Sequence, residues 1–506
     1  MSMTAEQLPN DIQLLKAIIE RQRRDIVYLE ELIKLFQYKK FASANESMHP
    51  GERLLFDEAE VETPEAAEPN RDRKPSPKQS QGRKPLPEVI PRVDKLIDLD
   101  DEQKICPTTG RALRRVSEEI SERLDIIPAK LQVIRTIRPK YTCDCGQCGF
   151  YIAPIPASAI PKSIATAGLL AYIATAKYAD ALPLYRQEEI LQRIGCDLPR
   201  STLSSWMIKC GNLVTPLIDL MRKKMLESPL VQCDETPVQV LKGTGKKPTS
   251  KSYMWVQAKW GGIGERIVLY KFDPSRSGEV PLRLFEGYRG YVQTDGYEGY
   301  SAVAQKPGIT HVGDWVHVRR KFHDVVKAGS SSSKAKLAEK ALVFIAELYR
   351  IESEIEQLPH FEKLQIRQSQ SREIVNSMKL WTDEVSAQVP PKSLIGKALS
   401  YFQKQWPKLC YFINDLNVGL DTNAVENAIR PFAIGKKNWL FSDTAKGADA
   451  SANLYSLIIT AKSNQIEPYE YLRLIFEKIP TCESVEDLEA LLPWTIVQNQ
   501  ALEAGC

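Results

Sequence analysis

The sequence predicts a multidomain α/β protein whose sheet-based core is interrupted by an all-α insertion. Three observations predict it. Five β-rich runs between residues 227 and 332 alternate with polar turns and helix-like stretches. From 333 to 418 the chain is charged and helical in pattern, with no strand signal. Ahead of both lie a heptad-patterned helix, a proline-rich charged stretch, a cysteine cluster and a series of short helices.

A chain of 506 residues exceeds what one hydrophobic core holds, so several domains are expected. Lys and Arg outnumber Asp and Glu by only 68 to 64, so any basic face has to be found locally. No apolar run approaches the roughly 18 residues of a membrane span. The opening MSMTAEQLPND also lacks a basic-then-apolar signal pattern, so the chain reads as cytoplasmic, with no membrane partner. Ten cysteines are too few for a disulfide scaffold, which leaves the close group Cys143, Cys145 and Cys148 as a metal-type spacing.

Residues 8–41 make the first element. Ile12, Leu15, Ile19, Ile26, Leu29, Ile33 and Phe36 recur at alternating steps of three and four, interrupted by Gln22. That seam predicts a coiled coil and, through it, a homo-oligomer, the alternative being one amphipathic helix docking on its own domain. Residues 42–95 turn acidic and then basic and proline-rich (RDRKPSPKQSQGRKPLPEVIPR). They bury too little apolar surface to offset their ordering entropy and read as a flexible linker. Residues 96–157 read as a small zinc-ribbon-like module in which β-like runs lead to CDCGQCG. Its first knuckle, CPTTG, keeps Cys106 but has Thr109 where a second cysteine belongs. Either one structural zinc rests on Cys106, Cys143, Cys145 and Cys148, or the first knuckle has decayed and the module's fold survives without metal.

Residues 158–226 read as a helical, helix-turn-helix-like DNA-binding region. LYRQEEILQRIG is followed by a turn between Gly195 and Pro199 and by STLSSWMIKC, with Ser201 as its cap. In that arrangement Arg200 and Lys209 meet phosphates, and Ser201, Thr202 and Ser204 meet bases.

The first part of the core, residues 227–332, opens with LVQCD, YMWVQAKW and RIVLYKFD, a three-stranded meander. A helix, the strand GYVQTDGY, another helix and the strand ITHVGDWVH complete a β-β-β-α-β-α-β order. This is the ribonuclease-H-like layout, whose first and fourth strands are neighbours, and Asp234 and Asp295 are expected at the ends of those two strands. The last part of the core, 419–478, carries Glu426 on a helix whose polar stripe includes Asn423, Asn427 and Arg430. Residues 479–506 read as a C-terminal tail.

Three clustered carboxylates repel one another by on the order of a few kcal/mol each at an effective dielectric near 20. Hard divalent cations relieve that repulsion, and a pair of them serves phosphoryl transfer on DNA. His317, Arg319, Arg320 and Lys321 in WVHVRRKF, and Lys436 and Lys437 in GKKNW, supply cations for DNA contact. Trp439 fits either a strand-binding surface or the core.

CDETP, TDGYEGY, WVHVRRKF, LDTNAVENAIRPFAIGKKNWLF and SLIITAKSNQIEPYEYL occur in order, and together the chain resembles the insertion sequence 66 family of transposases. The resemblance runs from LIKLFQYKKFAS to about residue 475. It implies a DDE transposase with Asp234, Asp295 and Glu426 as metal-binding acids, magnesium as the ion and manganese as its substitute. It also implies transposon-end and target DNA as partners, two small accessory proteins of the same element, and a nucleoid-associated place in a bacterial cytoplasm. Two alternatives remain: a nuclease without strand transfer, and an inactive DNA-binding descendant of a transposase.

Overall fold

A 30-residue helix, α1 (Ile12–Phe41), opens the part of the chain that the structure describes. The structure is a computed structural model, and it describes residues 11–41, 92–94, 130–141, 151–259, 265–328 and 333–504. The chain divides into two units, one of residues 1–43 and 136–506, the other of residues 44–135. In the second unit residues 92–94 and 130–135 are described and form neither helix nor strand. The linker, except for residues 92–94, and all four candidate zinc cysteines lie outside the described residues. On either side of CDCGQCG, β1 (Lys140–Tyr141) and β2 (Tyr151–Ile152) pair antiparallel.

Four helices follow: α2 (Ala167–Tyr178), α3 (Leu184–Arg193), α4 (Arg200–Leu213) and α5 (Thr215–Leu226). The chain then enters the main sheet. Here β3 (Leu230–Lys242), β4 (Lys251–Lys259) and β5 (Ile267–Asp273) form an antiparallel meander. After α6 (Glu279–Leu284) comes β6 (Gly290–Gln293), and after α7 (Ser301–Ala304) comes β7 (Ile309–Val312). Both β6 and β7 run parallel, giving the order β5-β4-β3-β6-β7. The far end of β3 takes a sixth strand, β8 (Ser442–Thr444), which the sequence pattern does not announce.

The edge strand β5 is covered by α14 (Ala445–Ser463). Ser456 Oγ accepts the Tyr270 N–H at 2.8 Å, and Thr460 Oγ1 both accepts from Val268 N and donates to Val268 O at 3.0 Å. Side-chain hydroxyls thus occupy backbone groups that an open edge leaves unpaired. On its other side α14 meets α4 so closely that a Cβ on Gly211 would stand 2.6 Å from Ala450 Cα. One core joins the sheet, α2 to α5, α13 (Asn423–Trp439), α14 and α15 (Pro468–Lys478). The expected C-terminal tail adds two helices, α16 (Val485–Glu489) and α17 (Pro493–Ala504), and buries Leu491, Leu492 and Trp494 in that core.

A second core is mainly helical, with Leu230 of β3 and Val312 of β7 joining it from the sheet. It is built by α8 (Trp315–Ala328), α9 (Ser333–Ile355), α11 (Arg372–Ser386) and α12 (Leu394–Leu409), with α10 (His360–Ile366) alongside. Buried Arg367 fixes its exit: it pairs with Glu352 at 2.5 Å and donates to the carbonyls of Phe412, Asp415 and Val418. Unpaired carbonyls at that depth would be costly, and one guanidinium satisfies three.

The sequence offers no globular surface next to α1, yet the structure gives it one. Glu31 accepts Lys334 Nζ at 2.6 Å and Leu394 N at 3.3 Å, and Lys397 lies over the Tyr28 ring. The helix therefore docks on the all-α part through a face other than its heptad seam. Ile12, Ile19, Ile26, Leu29, Ile33 and Phe36 all stay at least half exposed.

Candidate active site

The parallel pairing of β3 with β6 aligns Leu230 with Tyr291, Val231 with Val292 and Gln232 with Gln293. Two residues beyond the last pair stand Asp234 on the β3 side and Asp295 on the β6 side. The expectation that both acids end their strands holds differently for the two. Asp295 lies past the end of β6, but Asp234 sits inside β3, which runs on to Lys242 because β4 keeps pairing with it as far as Gln239. Asp234 thus occupies the point where β6 parts from β3.

Each aspartate is oriented by a backbone N–H. Asp234 Oδ1 accepts from Glu235 at 2.8 Å, and Asp295 Oδ1 accepts from Tyr297 at 2.9 Å. Burial, and then the charges of Glu235, Asp295 and Glu426, push the Asp234 carboxyl up to about 7, opposed by the Glu235 N–H bond. The three acids are therefore near enough for their charges to act on Asp234.

Glu426 lies in the first turn of α13, where the positive end of the helix favours a carboxylate. It faces Arg320 at 3.4 Å and His317 Nδ1 at 4.0 Å. Among the described residues, the group of potential ligand atoms lying within 4.8 Å of one another is Asp314, His317 and Glu426. Its chemistry is that of an ion-paired network. Asp314 Oδ1 accepts the Val316 N–H at 2.8 Å, while Oδ2 takes His317 Nδ1 and the Thr422 hydroxyl. Asp234, Asp295 and Glu426 do not form such a group among the described residues, so the ligand atoms of the three predicted acids are not brought within that distance of one another.

Glu235, beside Asp234, is fully engaged. Its 1% exposed side chain pairs with Arg276 at 2.6 Å and accepts the Tyr300 hydroxyl at 2.8 Å. Gly296, beside Asp295, is explained by close approach: a Cβ there would meet Tyr401 Cε2 at 2.6 Å. Tyr401 comes from α12, so the all-α part reaches the site. Burial and the nearby Asp314 and Asp295 raise its phenol above the ordinary value.

The candidate DNA contacts divide. Arg200, Ser201, Ser204 and Lys209 are exposed on α4 and Thr202 is half-buried. The helix starts one residue before the expected cap: Pro199 is the N-cap and the Arg200 N–H is taken by Glu188 at 3.0 Å, so Ser201 lies inside the first turn. His317, Arg319, Arg320 and Lys321 belong to α8 and do not extend the fifth strand, because β7 stops at Val312. Of these, His317 and Arg320 are already partnered as above, Arg319 also engages a neighbour, and Lys321 lies 5.6 Å from the Tyr401 ring. Lys436 donates to Pro237 O at 2.7 Å, Lys437 is partnered, and Arg430 is half-buried. Trp439 packs edge-on against Phe432, ring centroids 5.5 Å apart, and so sides with the core.

Sequence reasoning missed the two buried glutamines, Gln232 and Gln293, although a signal was present. Both strands read Val-Gln-x-Asp, VQCD and VQTD, with a polar residue inside an apolar run two places before each acid.

A mixed α/β protein with an acid group at the junction of its parallel strands is what fold and site define. Residues 162–450 match the family described as Transposase IS66 family, residues 456–494 the IS66 C-terminal element and residues 103–146 the zinc-finger binding domain of transposase IS66. Residues 28–94 match Transposase C of IS166 homeodomain. The chain belongs to the IS66 transposase family. Similar proteins of Sinorhizobium fredii (strain NBRC 101917 / NGR234) include the uncharacterized protein y4jD, 32% identical with both chains covered in full. Another is the uncharacterized protein y4qI, also 32% identical, over 98% of this chain and 95% of its own.

Proposed function

We propose that the chain is a DDE-type transposase that cleaves the ends of its insertion sequence and joins their 3′ hydroxyls to target DNA. The observation that supports this reading is the register of β3 and β6, which pairs Gln232 with Gln293 two residues before Asp234 and Asp295, together with the action of Glu426's charge on Asp234. The strand order, with two parallel strands added to an antiparallel meander, supports a ribonuclease-H-like core. Asp234, Asp295 and Glu426 would hold magnesium or manganese, which when bound neutralises phosphate charge and activates the attacking oxygen. Arg320, paired with Glu426 and half exposed, stands ready to meet a phosphate beside the acids. The exposed side of α4 reads the terminal repeats, and the uncovered seam of α1 brings two chains, and so two ends, together. The four cysteines hold a structural zinc, and two small accessory proteins complete the assembly. None of the described helices is long and apolar enough to cross a membrane.

The test uses the purified full chain, end-containing duplex DNA, a target plasmid and magnesium. Cleavage at the end followed by joined product is expected, and Asp234→Asn, Asp295→Asn and Glu426→Gln should each abolish both. Cleavage without joining would favour a nuclease, and binding without cleavage an inactive descendant.

A further inference from the structure

We propose that Gln232 and Gln293 form a positioning latch that fixes the start of α13, and Glu426 with it, against the two aspartates. The inference rests on the reading of Asp234, Asp295 and Glu426 as the cation-holding acids. Side chains alternate along a strand, so Gln232 shares a face of β3 with Asp234, while Gln293 ends β6 two residues before Asp295. Both are buried, at 6% and 0% exposed.

Their amides are joined, with Gln232 Nε2 donating to Gln293 Oε1 at 3.0 Å. The second donor of Gln232 goes to Asp421 O at 2.8 Å, and its Oε1 accepts the Val425 N–H at 3.2 Å. Gln293 gives its two donors to Gly313 O at 3.2 Å and Gly419 O at 3.0 Å. All four amide hydrogens are used, and turning either amide over would set donor against donor. The orientation is therefore unique.

These contacts have a location in common. Gly313 ends the run that leaves β7 for the all-α part, and Gly419 follows the Arg367-bound exit from it. Asp421 and Val425 flank the start of α13, with Glu426 the next residue. A pair of side chains on the strands that carry the two aspartates thereby holds the loop and helix that carry the third acid. The first-turn N–H groups of a helix have no acceptor inside it, and Gln232 supplies one for Val425.

Two measurements test this on the full chain. In the unaltered protein, hydrogen exchange resolved to single amides should show Val425 protected at least tenfold over Ala424, its neighbour in the same first turn. Equal exchange would overturn the latch without any variant having to fold. Second, Gln232→Met and Gln293→Met keep the length of the side chain and remove the amide. Mn2+ alone, followed by electron paramagnetic resonance on DNA-free protein, should bind at least tenfold more weakly to either variant. Cleavage should lose kcat with KM for DNA unchanged, and excess Mn2+ should restore part of it. Unchanged Mn2+ affinity in folded Gln232→Met and Gln293→Met, with Asp234→Asn weakened, would overturn the latch alone. Unchanged Mn2+ affinity in Asp234→Asn would overturn the acid assignment beneath it.

Discussion

Asp314 holds His317 by its Nδ1, which turns Nε2 towards the Arg320 guanidinium 3.3 Å away. Asp314 is itself buried and tied to Thr422 at 2.9 Å, so the loop before α13 and the start of α8 share one carboxylate. The DWVH stretch is thus a bridge between the all-α part and the Glu426 helix. Its histidine is committed to Asp314 and is unsuited to act as a freely turning phosphate contact.

That pairing predicts a titration. Burial alone lowers a histidine, but the bond to Asp314 and its charge raise His317 above the ordinary 6.5. A histidine raised in the folded state adds stability below its unfolded value, and loses it as pH climbs through the folded one. In the proton spectrum of the imidazoles, His317 should titrate above 6.5 and fall in Asp314→Asn. A wild-type midpoint below that value would dissolve the pair.

For DNA binding the exposed face of α4 makes the prediction. Arg200 and Lys209 are exposed on a helix whose opposite face is locked against α14 through Gly211 and Ala450. Changing both to Ala should weaken binding of end-containing duplex and reduce the slope of log K against log salt by about two, since each phosphate contact releases roughly one counterion. Thermal stability should hardly move. A salt slope equal to the parent's would place the contact on another surface.

Zinc is predicted at no more than one ion per chain. Thr109 leaves a single intact knuckle, so Cys106, Cys143, Cys145 and Cys148 have to serve together. Elemental analysis of protein produced with zinc supplied should give about one ion, lost when Cys145 and Cys148 become Ser. Protein free of zinc under those conditions contradicts the prediction.

What the sequence made legible was whatever repeats locally. The strand order followed from short β-rich runs, and Val-Gln-x-Asp in two of them marks the strands that pair. The continuation of β3 past Asp234 was hidden by Pro237, which ordinarily argues for a strand end. Here its carbonyl is occupied by Lys436, and pairing with β4 persists on both sides of it. The Gln232 contact with Asp421 spans 189 residues and the Asp314 contact with Thr422 spans 108, so no window along the chain reveals either. The docking of α1 was equally hidden, because Glu31 and Tyr28 look like solvated positions until Lys334, Leu394 and Lys397 are brought to them.

The α1 helix has two faces and each predicts a different loss. Leu29 and Ile33 are 54% exposed on the seam, whereas Glu31 is held by Lys334 and Leu394. Leu29→Lys with Ile33→Lys should reduce the oligomer measured by light scattering and leave the fold intact. Glu31→Lys should free the helix from the all-α part, visible as faster hydrogen exchange in α1, with the oligomer retained. An unchanged oligomer in the seam variant would remove α1 as the pairing element.

The last prediction joins the three acids through pH. Burial, then Glu235, Asp295 and Glu426, raise Asp234 from the ordinary 3.8 to about 7. A carboxyl raised in the folded state binds its proton more tightly there than in the unfolded chain, so protonation favours folding. Its ionisation therefore costs stability, in a window that opens near the unfolded value and closes near 7. Asparagine at 234 is neutral throughout. In chelator-treated protein, Asp234→Asn should resemble the parent at low pH and become the more stable of the two by pH values above the window, by on the order of a few kcal/mol. Calorimetry at a series of pH values reads this directly. Glu426→Gln removes one of the charges that lift Asp234 and should narrow the window from its upper end. Glu298→Gln, at an exposed position, should leave the window as it is. Glu235 cannot serve as that control, because its carboxylate is spent on Arg276 and Tyr300. If the stability gap between Asp234→Asn and parent stayed flat across the window, Asp234 would not be held up by its neighbours. If Glu426→Gln left the upper end in place, the third acid would stand too far away to share a site with the first.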